Sequence, residues 1–169
     1  MPSLPVELFR RLTSGVYVIT AAHGGQQGGF TAAWVTQVSF DPLLVAVSIN
    51  PANATWSLIG RSRGFAINVL ASGERETVRH FGLQSGRDVD KFKGVRTLTA
   101  PDGSLILADA VSWLGCRIEQ QFPAGDHIVV VARVVAGDVL SPEIAPMRYS
   151  ETGDMDGSAG LFPPKFSGG

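Results

Sequence analysis

Short apolar runs separated by turn residues make up most of the chain, and they predict strands more often than helices. The runs rich in β-branched and aromatic residues cover residues 15–22, 30–40, 43–50, 64–71, 111–122 and 127–140. Leucines spaced four apart predict a helix over residues 3–13, and capping residues predict two more over 53–60 and 72–82. Six strands joined mostly by turns favour an antiparallel barrel in a mainly β, β-rich α+β domain over a doubly wound parallel sheet.

No internal repeat and no linker divides the chain, so we expect one domain with an irregular ending. Residues 1–140 contain all the predicted strands and helices, with a loop-rich stretch over 83–110. Residues 141–169 contain four prolines and show no periodicity. We expect them to form a C-terminal arm or tail of the same domain, either solvated or lying on a partner's surface.

Composition and charge narrow the possible partners. The 169 residues have a formal net charge of -1 and no run of like charges, which gives no reason to expect nucleic acid or an anionic membrane as partner. No apolar stretch is long enough to span a bilayer, and the N-terminal residues lack the apolar segment of a signal peptide. A single cysteine, Cys116, excludes an internal disulfide, so the expected compartment is the reducing cytoplasm.

The common catalytic motifs are absent from the sequence. The three histidines, His23, His80 and His127, are isolated, and no Cys/His pair has ligand spacing, so we expect no metal site. Neither a nucleophile elbow nor a glycine-rich nucleotide-binding motif occurs. The run HGGQQGG is better explained by a hairpin turn than by a phosphate cradle, because no helix N-terminus follows it.

The strand predicted over residues 30–40 has an unusual second face. Alternation places Phe30, Ala32, Trp34, Thr36, Val38 and Phe40 on one face, which we expect to be core, and Thr31, Ala33, Val35, Gln37 and Ser39 on the other. The second face is small and mildly polar, which suits a wall against a flat polar ligand. A solvated outer face is the simpler explanation of the same pattern.

Two further segments carry groups suited to an anion. The run SINPANATW leads a buried strand into a helix N-terminus with Asn53 and Thr55 at the cap, where free N–H groups are available. The loop SGRDVDKF adds Ser85, Arg87 and Lys91. Taken singly, an ordinary N-cap and a solvated charged loop explain these segments more simply.

An ordered set of segments resembles the flavin reductase-like domains of the FMN-binding split-barrel group. The segments are FRRLTSGVYVITA, GGFTAAWVTQVSFDPLLVAVSIN, NATWSLI, GFAINVL, HFGLQSGRDVDKF and GDHIVVVARVVAGDVL, over about residues 9–140. The version WVTQVSF is most similar to reductase domains associated with flavodiiron proteins. The resemblance implies a six-stranded Greek-key split barrel with short flanking helices, a homodimer, and NAD(P)H-dependent reduction of FMN, or of FAD in some branches.

The resemblance also implies roles for individual residues. The isoalloxazine and ribityl chain would lie along Thr31, Ala33, Trp34, Val35, Thr36 and Gln37, with Ser48, Ile49 and Asn50 as the next wall. Asn53, Thr55, Ser85, Arg87 and Lys91 would lie near the phosphate, and His127 near the nicotinamide. From the residues alone, a structural role for His127 is equally supported. In a regular strand Trp34 packs in the core and Gln37 faces the cofactor, whereas a bulge would bring Trp34 to the flavin.

Three functions remain open at this point. The first is a flavin reductase that supplies an oxygenase or another redox protein. The second is an FMN-binding electron carrier without efficient NAD(P)H oxidation. The third is a scaffold that has lost flavin, which the retained polar residues argue against. The sequence departs from the family at Pro42-Leu43, where many members have two prolines, and in the tail, which lacks the common ending.

Overall fold

A seven-stranded antiparallel sheet dominates the computed structural model, which describes residues 1–167. Its strands are β1 (Tyr17–His23), β2 (Gln26–Ala32), β3 (Val35–Ser39), β4 (Leu44–Ile49), β5 (Gly64–Val69), β8 (Ser112–Ala124) and β9 (His127–Val139). They lie in the order β2-β1-β5-β8-β9-β4-β3. Two short strands, β6 (Thr97–Thr99) and β7 (Leu105–Leu107), form a separate ladder. The predicted mainly β, antiparallel class is therefore confirmed.

The strand count differs from the predicted six for two reasons. The run predicted as one strand over residues 30–40 is divided between β2 and β3 by Ala33 and Trp34. The stretch 83–110, expected to be loop, contains β6 and β7. The fully buried Asn68 holds β7 in place by accepting a hydrogen bond from the Leu107 N–H (2.8 Å). Strands of three residues are too short to show a periodic pattern in sequence.

Three helices flank the sheet, namely α1 (Leu4–Phe9), α2 (Trp56–Ser62) and α3 (Arg75–Gly82). α1 begins at Leu4 with Ser3 as its N-cap, close to its predicted start. α2 and α3 begin later than the sequence predicts, because their expected capping residues bond elsewhere. The Ser72 hydroxyl, predicted to cap α3, donates to Glu151 Oε1 instead. Asn53, predicted to cap α2, accepts from the Thr55 N–H in a turn that precedes the helix. Among residues 1–167, no helix has the length and apolarity needed to cross a membrane.

The main core is formed by α2 together with residues from several strands of the sheet. Ile19, Val47, Ile67 and Val130 come from four different strands and are almost completely buried together. The edge strands β2 and β3 follow each other in the chain, so the link at residues 33–34 joins the two edges of the curved sheet. Cys116 is also buried in this core.

The part of the tail around Met147 packs on its own barrel, unlike the solvated end or partner-seeking arm that the sequence suggested, whereas residues 160–167 are mostly exposed. Met147 is 1% exposed and forms part of a second apolar cluster with Val16 and Phe81. Its N–H donates to Leu70 O (2.8 Å), and its carbonyl accepts from the Val16 N–H (3.2 Å). One buried methionine and backbone bonds on both sides are enough to dock a segment that has no periodicity of its own.

Candidate functional site

The link between β2 and β3 is the centre of the candidate site. Ala33 and Trp34 leave the strand conformation, and the Trp34 carbonyl accepts from the Ser48 N–H (3.1 Å). β3 pairs only with β4, so alternate N–H groups on its other side have no partner in the sheet. A ligand with acceptor atoms along one edge can satisfy these donors.

Trp34 lies outside the core, against the ring of His127. The centroids of the two rings are 4.8 Å apart, with 50° between their planes, and Trp34 is 58% exposed. The predicted core face is wrong beyond Ala33, since Val38 and Phe40 are 50% and 90% exposed. The break at residues 33–34 interrupts the two-residue alternation, so the positions after it no longer share the face of Phe30.

His127 begins β9 immediately after the turn that joins it to β8. Its Nδ1 lies 2.7 Å from Asp126 Oδ1, and this hydrogen bond lowers the pKa of the Asp126 carboxyl. The carboxylate therefore fixes Nδ1 as the protonated nitrogen when the ring is neutral. Within residues 1–167 Nε2 forms no hydrogen bond, so it is available to a ligand beside Trp34.

The end of β4 forms the wall next to this aromatic pair. Ser48 is half-buried and Asn50 is exposed, whereas the Ile49 side chain is 1% exposed and belongs to the core. Ile49 can therefore face a ligand only through its backbone. The Asn50 side chain accepts from the Ala52 N–H (2.9 Å), which shapes the turn toward α2.

That turn places a guanidinium group beside the start of α2. Arg87 Nη2 donates to Ala52 O (3.0 Å), and Arg87 itself is exposed. Asn53 Oδ1 accepts from the Thr55 N–H (2.9 Å), so Thr55 and not Asn53 is the residue before the helix. Thr55 is 3% exposed, and a Cβ added at Gly28 would lie 2.9 Å from its hydroxyl. Its side chain thus packs against the β1–β2 hairpin.

Lys91 lies beneath this region and is only 7% exposed. Its ammonium donates to Gly29 O (2.9 Å) and Phe81 O (2.8 Å), and burial lowers the pKa of the amine. It ties the hairpin to the end of α3. Ser85 accepts from the Arg87 N–H (3.2 Å) and shapes the same loop. Of the two predicted cations, Arg87 is therefore more accessible to a ligand than Lys91.

The remaining predicted residues differ in whether their side chains face the protein interior or the solvent. Thr31 donates its hydroxyl to Val78 O (3.0 Å) and so faces α3. Ala33 is half-buried at the link, and Val35 packs against the core. Thr36 and Gln37 are both exposed on β3. The structure thus gathers the link, the Ser48–Asn50 wall, His127 and the Arg87 turn, and it directs Thr31, Thr55 and Lys91 inward.

The geometry supports neither a reactive thiolate at Cys116 nor a metal site among residues 1–167. Burial, followed by the nearby Asp102 charge, raises the pKa of the Cys116 thiol to about 12, so a thiolate does not form near neutrality. Across residues 1–167 no group of three His, Cys, Asp or Glu side chains is placed to hold a metal ion.

Sequence reasoning missed one part of the site. A cleft of about 580 Å³ lies beside Arg87, between the β1–β2 hairpin and residues 86–92, and Arg61 lines it. Leu58 and Arg61 lie three residues apart on α2, and Thr55 immediately precedes the helix, which was a usable signal that the three lie on one side of it. Strand pairing, which brings the hairpin opposite that face, gave no signal in sequence.

Comparison with known proteins gives a consistent result. Residues 9–157 match the family described as flavin reductase like domain. Diflavin flavoprotein A 1 of Synechocystis sp. is 35% identical over 134 residues, covering 79% of this chain and 23% of the relative. The chain spans about a quarter of the length of the curated relatives it matches.

Solved structures with the same fold are also similar in sequence. NADH:FAD oxidoreductase SgcE6 of Streptomyces globisporus superposes with a TM-score of 0.80 at 27% identity, covering 88% of each chain. An FMN-binding protein from Thermus thermophilus superposes with a TM-score of 0.72 at 28% identity, covering 77% of this chain and 72% of that one.

Proposed function

Because the chain belongs to the flavin reductase like domain family, we propose that it transfers a hydride from NADH or NADPH to a flavin, FMN in the first instance, and passes the electrons to a downstream acceptor. The resemblance identified from sequence is confirmed, including its similarity to diflavin flavoproteins. One observation carries the proposal: the unpaired edge of β3 lies next to the Trp34–His127 pair, Trp34 bonds to Ser48 at the end of β4, and Arg87 bonds to Ala52 in the turn that follows.

The hydrogen-bond donors of these residues fit the acceptor atoms of a flavin. Isoalloxazine carries acceptor atoms along its pyrimidine edge, and the free N–H groups of residues 33–37 are donors without partners in the sheet. The Ser48–Asn50 wall would lie beside the ring. The guanidinium of Arg87 would meet the phosphate, because it is exposed and forms no salt bridge among residues 1–167.

The protein's part in the reaction is positioning and electrostatic stabilisation. A bound flavin supplies the hydride acceptor, which is chemistry that the side chains lack. The edge N–H groups would stabilise negative charge that develops on the pyrimidine side. His127, held by Asp126 and Trp34, would orient the nicotinamide through its free Nε2. Hydride transfer itself requires no general acid or base from the protein.

A second candidate is a flavin-binding electron carrier that oxidises NAD(P)H poorly. The relatives named diflavin flavoproteins favour it, because this chain matches only about a quarter of their length and the rest could exchange electrons with it. In either case the acceptor would be a redox protein or an oxygenase. The two candidates differ in whether a nicotinamide nucleotide reduces the bound flavin directly.

The testing experiment is anaerobic reduction followed by absorbance. The purified chain is loaded with FMN and mixed with NADH or with NADPH while the oxidised-flavin band near ~450 nm is recorded. Rapid bleaching establishes the reductase, and the faster nucleotide gives its preference. Bound flavin that neither nucleotide bleaches would establish the carrier instead. Failure to bind any flavin would refute both.

A further inference from the structure

The cleft beside Arg87 is larger than the proposed phosphate position needs. Its volume of about 580 Å³ lies within the range of small-molecule sites, ~300–1,000 Å³. One wall is the glycine-rich hairpin Gly25–Gly29, and α2 contributes Leu58 and Arg61. The opposite wall is the loop 86–92, which contains Arg87. A single phosphate group would leave most of this space unfilled.

Two guanidinium groups border the cleft on different walls. Arg61 Nη2 donates to Gln26 Oε1 (2.9 Å), and Arg87 Nη2 donates to Ala52 O (3.0 Å). Neither forms a salt bridge with a carboxylate of residues 1–167. Both are exposed and retain N–H donors for a ligand. Two cations on opposite walls suit two phosphates better than one.

The other lining groups suit a nucleoside. Val89 is exposed and Phe92 is half-buried, and both provide apolar surface on which a base can lie. Asp88 and Asp90 also line the cleft, and Asp90 Oδ1 already accepts from the Phe92 N–H (2.9 Å). A carboxylate in such a cleft can accept hydrogen bonds from ribose hydroxyls, as in other dinucleotide sites. The negative charges of Asp88 and Asp90 also reduce non-selective binding of polyanions in the cleft.

We propose that this cleft binds the adenosine monophosphate half of FAD, and that Arg61 determines the affinity for FAD relative to FMN. The inference rests on the proposed function, because the isoalloxazine must first bind at the β2–β3 link. Arg87 would contact the phosphate that FMN and FAD share. Arg61, on the opposite wall, would contact the phosphate that only FAD carries. The affinity for riboflavin, which has neither phosphate, would not depend on either arginine.

The test is a comparison of dissociation constants for riboflavin, FMN, FAD and NADH by calorimetry on the purified chain. Arg61→Gln should raise the dissociation constant of FAD about tenfold, as expected when a charged hydrogen bond to phosphate is lost, and leave that of FMN within about twofold. Arg61→Lys keeps the charge and should recover part of the loss. Arg63→Gln removes an equal charge two residues away, outside the cleft, and should change neither constant.

Each other outcome contradicts the inference in a recognisable way. Equal weakening of FMN and FAD by Arg61→Gln would mean that Arg61 serves the shared phosphate or the fold. Unchanged affinity for FAD would mean that the cleft does not hold the second half of the molecule. A raised dissociation constant for NADH in place of FAD would assign the cleft to the nicotinamide nucleotide. Failure of the wild-type chain to bind any flavin would instead refute the proposed function itself.

Discussion

The contact between Trp34 and His127 joins the β2–β3 link to the start of β9. Its geometry leaves the indole largely exposed and one imidazole nitrogen free, while Asp126 holds the other. An exposed tryptophan against a fixed histidine offers a flat apolar surface with a single polar atom beside it. A nicotinamide ring with its carboxamide has the same combination of features, which is why we assign this pair to the reducing nucleotide.

We expect His127→Ala to slow reduction of bound flavin by NAD(P)H roughly 10–100-fold, because the nicotinamide loses a positioning contact. The flavin dissociation constant should stay within about twofold, since the edge N–H groups and Arg87 are unchanged. Stopped-flow reduction and flavin titration measure the two quantities. His23→Ala, at an exposed histidine at the end of β1, is the matched control. Equal loss of both quantities would refute the role.

We expect Arg87→Gln to weaken FMN binding about tenfold and to leave riboflavin within about twofold, because only FMN carries the phosphate. Fluorescence titration with both flavins measures the difference. Lys93→Gln removes a charge from the same loop but does not line the cleft, so it should leave both affinities unchanged. If riboflavin weakens as much as FMN, the loss comes from the turn that Arg87 holds through Ala52 and not from phosphate binding.

The individual residues of the site differ in how far sequence could place them. His127 and Arg87 both keep free donor or acceptor groups, and the roles that the family resemblance implies for them stay predictions. Lys91 and Thr55 carry suitable groups as well, but in the fold these groups contact other parts of the protein and do not face a ligand. Side-chain direction depends on neighbours that are distant in sequence, so a residue's chemistry alone does not say which way it points.

At the scale of elements, the stability of the docked tail at alkaline pH depends on the Tyr149 side chain. The Tyr149 hydroxyl donates to Asp156 Oδ2 (2.7 Å) and lies 3.1 Å from Ser158 Oγ. Its N–H donates to Ser14 O (2.8 Å), which fixes this part of the tail beside β1. Burial is the main cause of a raised pKa for Tyr149. The docked tail therefore favours the neutral phenol.

We expect the free energy of unfolding to fall at alkaline pH through Tyr149. Because the folded pKa lies above the unfolded value of ~10, this contribution is complete below pH ~10 and is lost as pH rises through the folded pKa. Tyr149→Phe should remove that part of the slope and cost about 1 kcal/mol at pH ~8 from the lost hydrogen bonds. Urea unfolding across the pH range measures both. Tyr17→Phe is the control, and an identical slope in Tyr149→Phe would contradict the assignment.

Elements with a strong pattern were predictable, and elements held by single contacts were not. β4, β5, β8 and β9 are β-branched runs that fall close to their predicted bounds. β6 and β7 depend on Asn68 and the tail depends on Met147, so their placement comes from one buried partner each. A periodic apolar pattern reports burial averaged over many positions, and it carries no information about a single anchoring contact.

At the scale of the whole molecule, we propose that two copies associate through the exposed side of β3 and the β8–β9 hairpin. Phe40 is 90% exposed, Val38 50% and Phe122 49%. The residues of β8 from Glu119 to Ala124 are exposed on both faces of the strand. Apolar side chains concentrated on an edge strand and a projecting hairpin are typical of a surface that a partner covers.

We expect Phe40→Ser to shift the chain from dimer to monomer, because removing the most exposed phenylalanine of this surface weakens an interface that needs ~1,200–2,000 Å² of buried area. Analytical ultracentrifugation across a concentration series measures the change. Leu98→Ser, at an exposed leucine on β6, should leave the association unchanged. A wild-type chain that is monomeric at every concentration would rule out the proposed dimer.

By itself, the sequence determined the mainly β antiparallel class and the family, because apolar patterning and motif order depend on neighbours along the chain. Only the tertiary structure decided that the 30–40 run breaks at Ala33, that Trp34 meets His127, and that Arg61 and Arg87 border one cleft. These features depend on strand pairing and packing between distant segments. The alternation of a single strand does not indicate where a sheet ends. In this chain the run breaks at the link that connects the two edge strands of the sheet, β2 and β3.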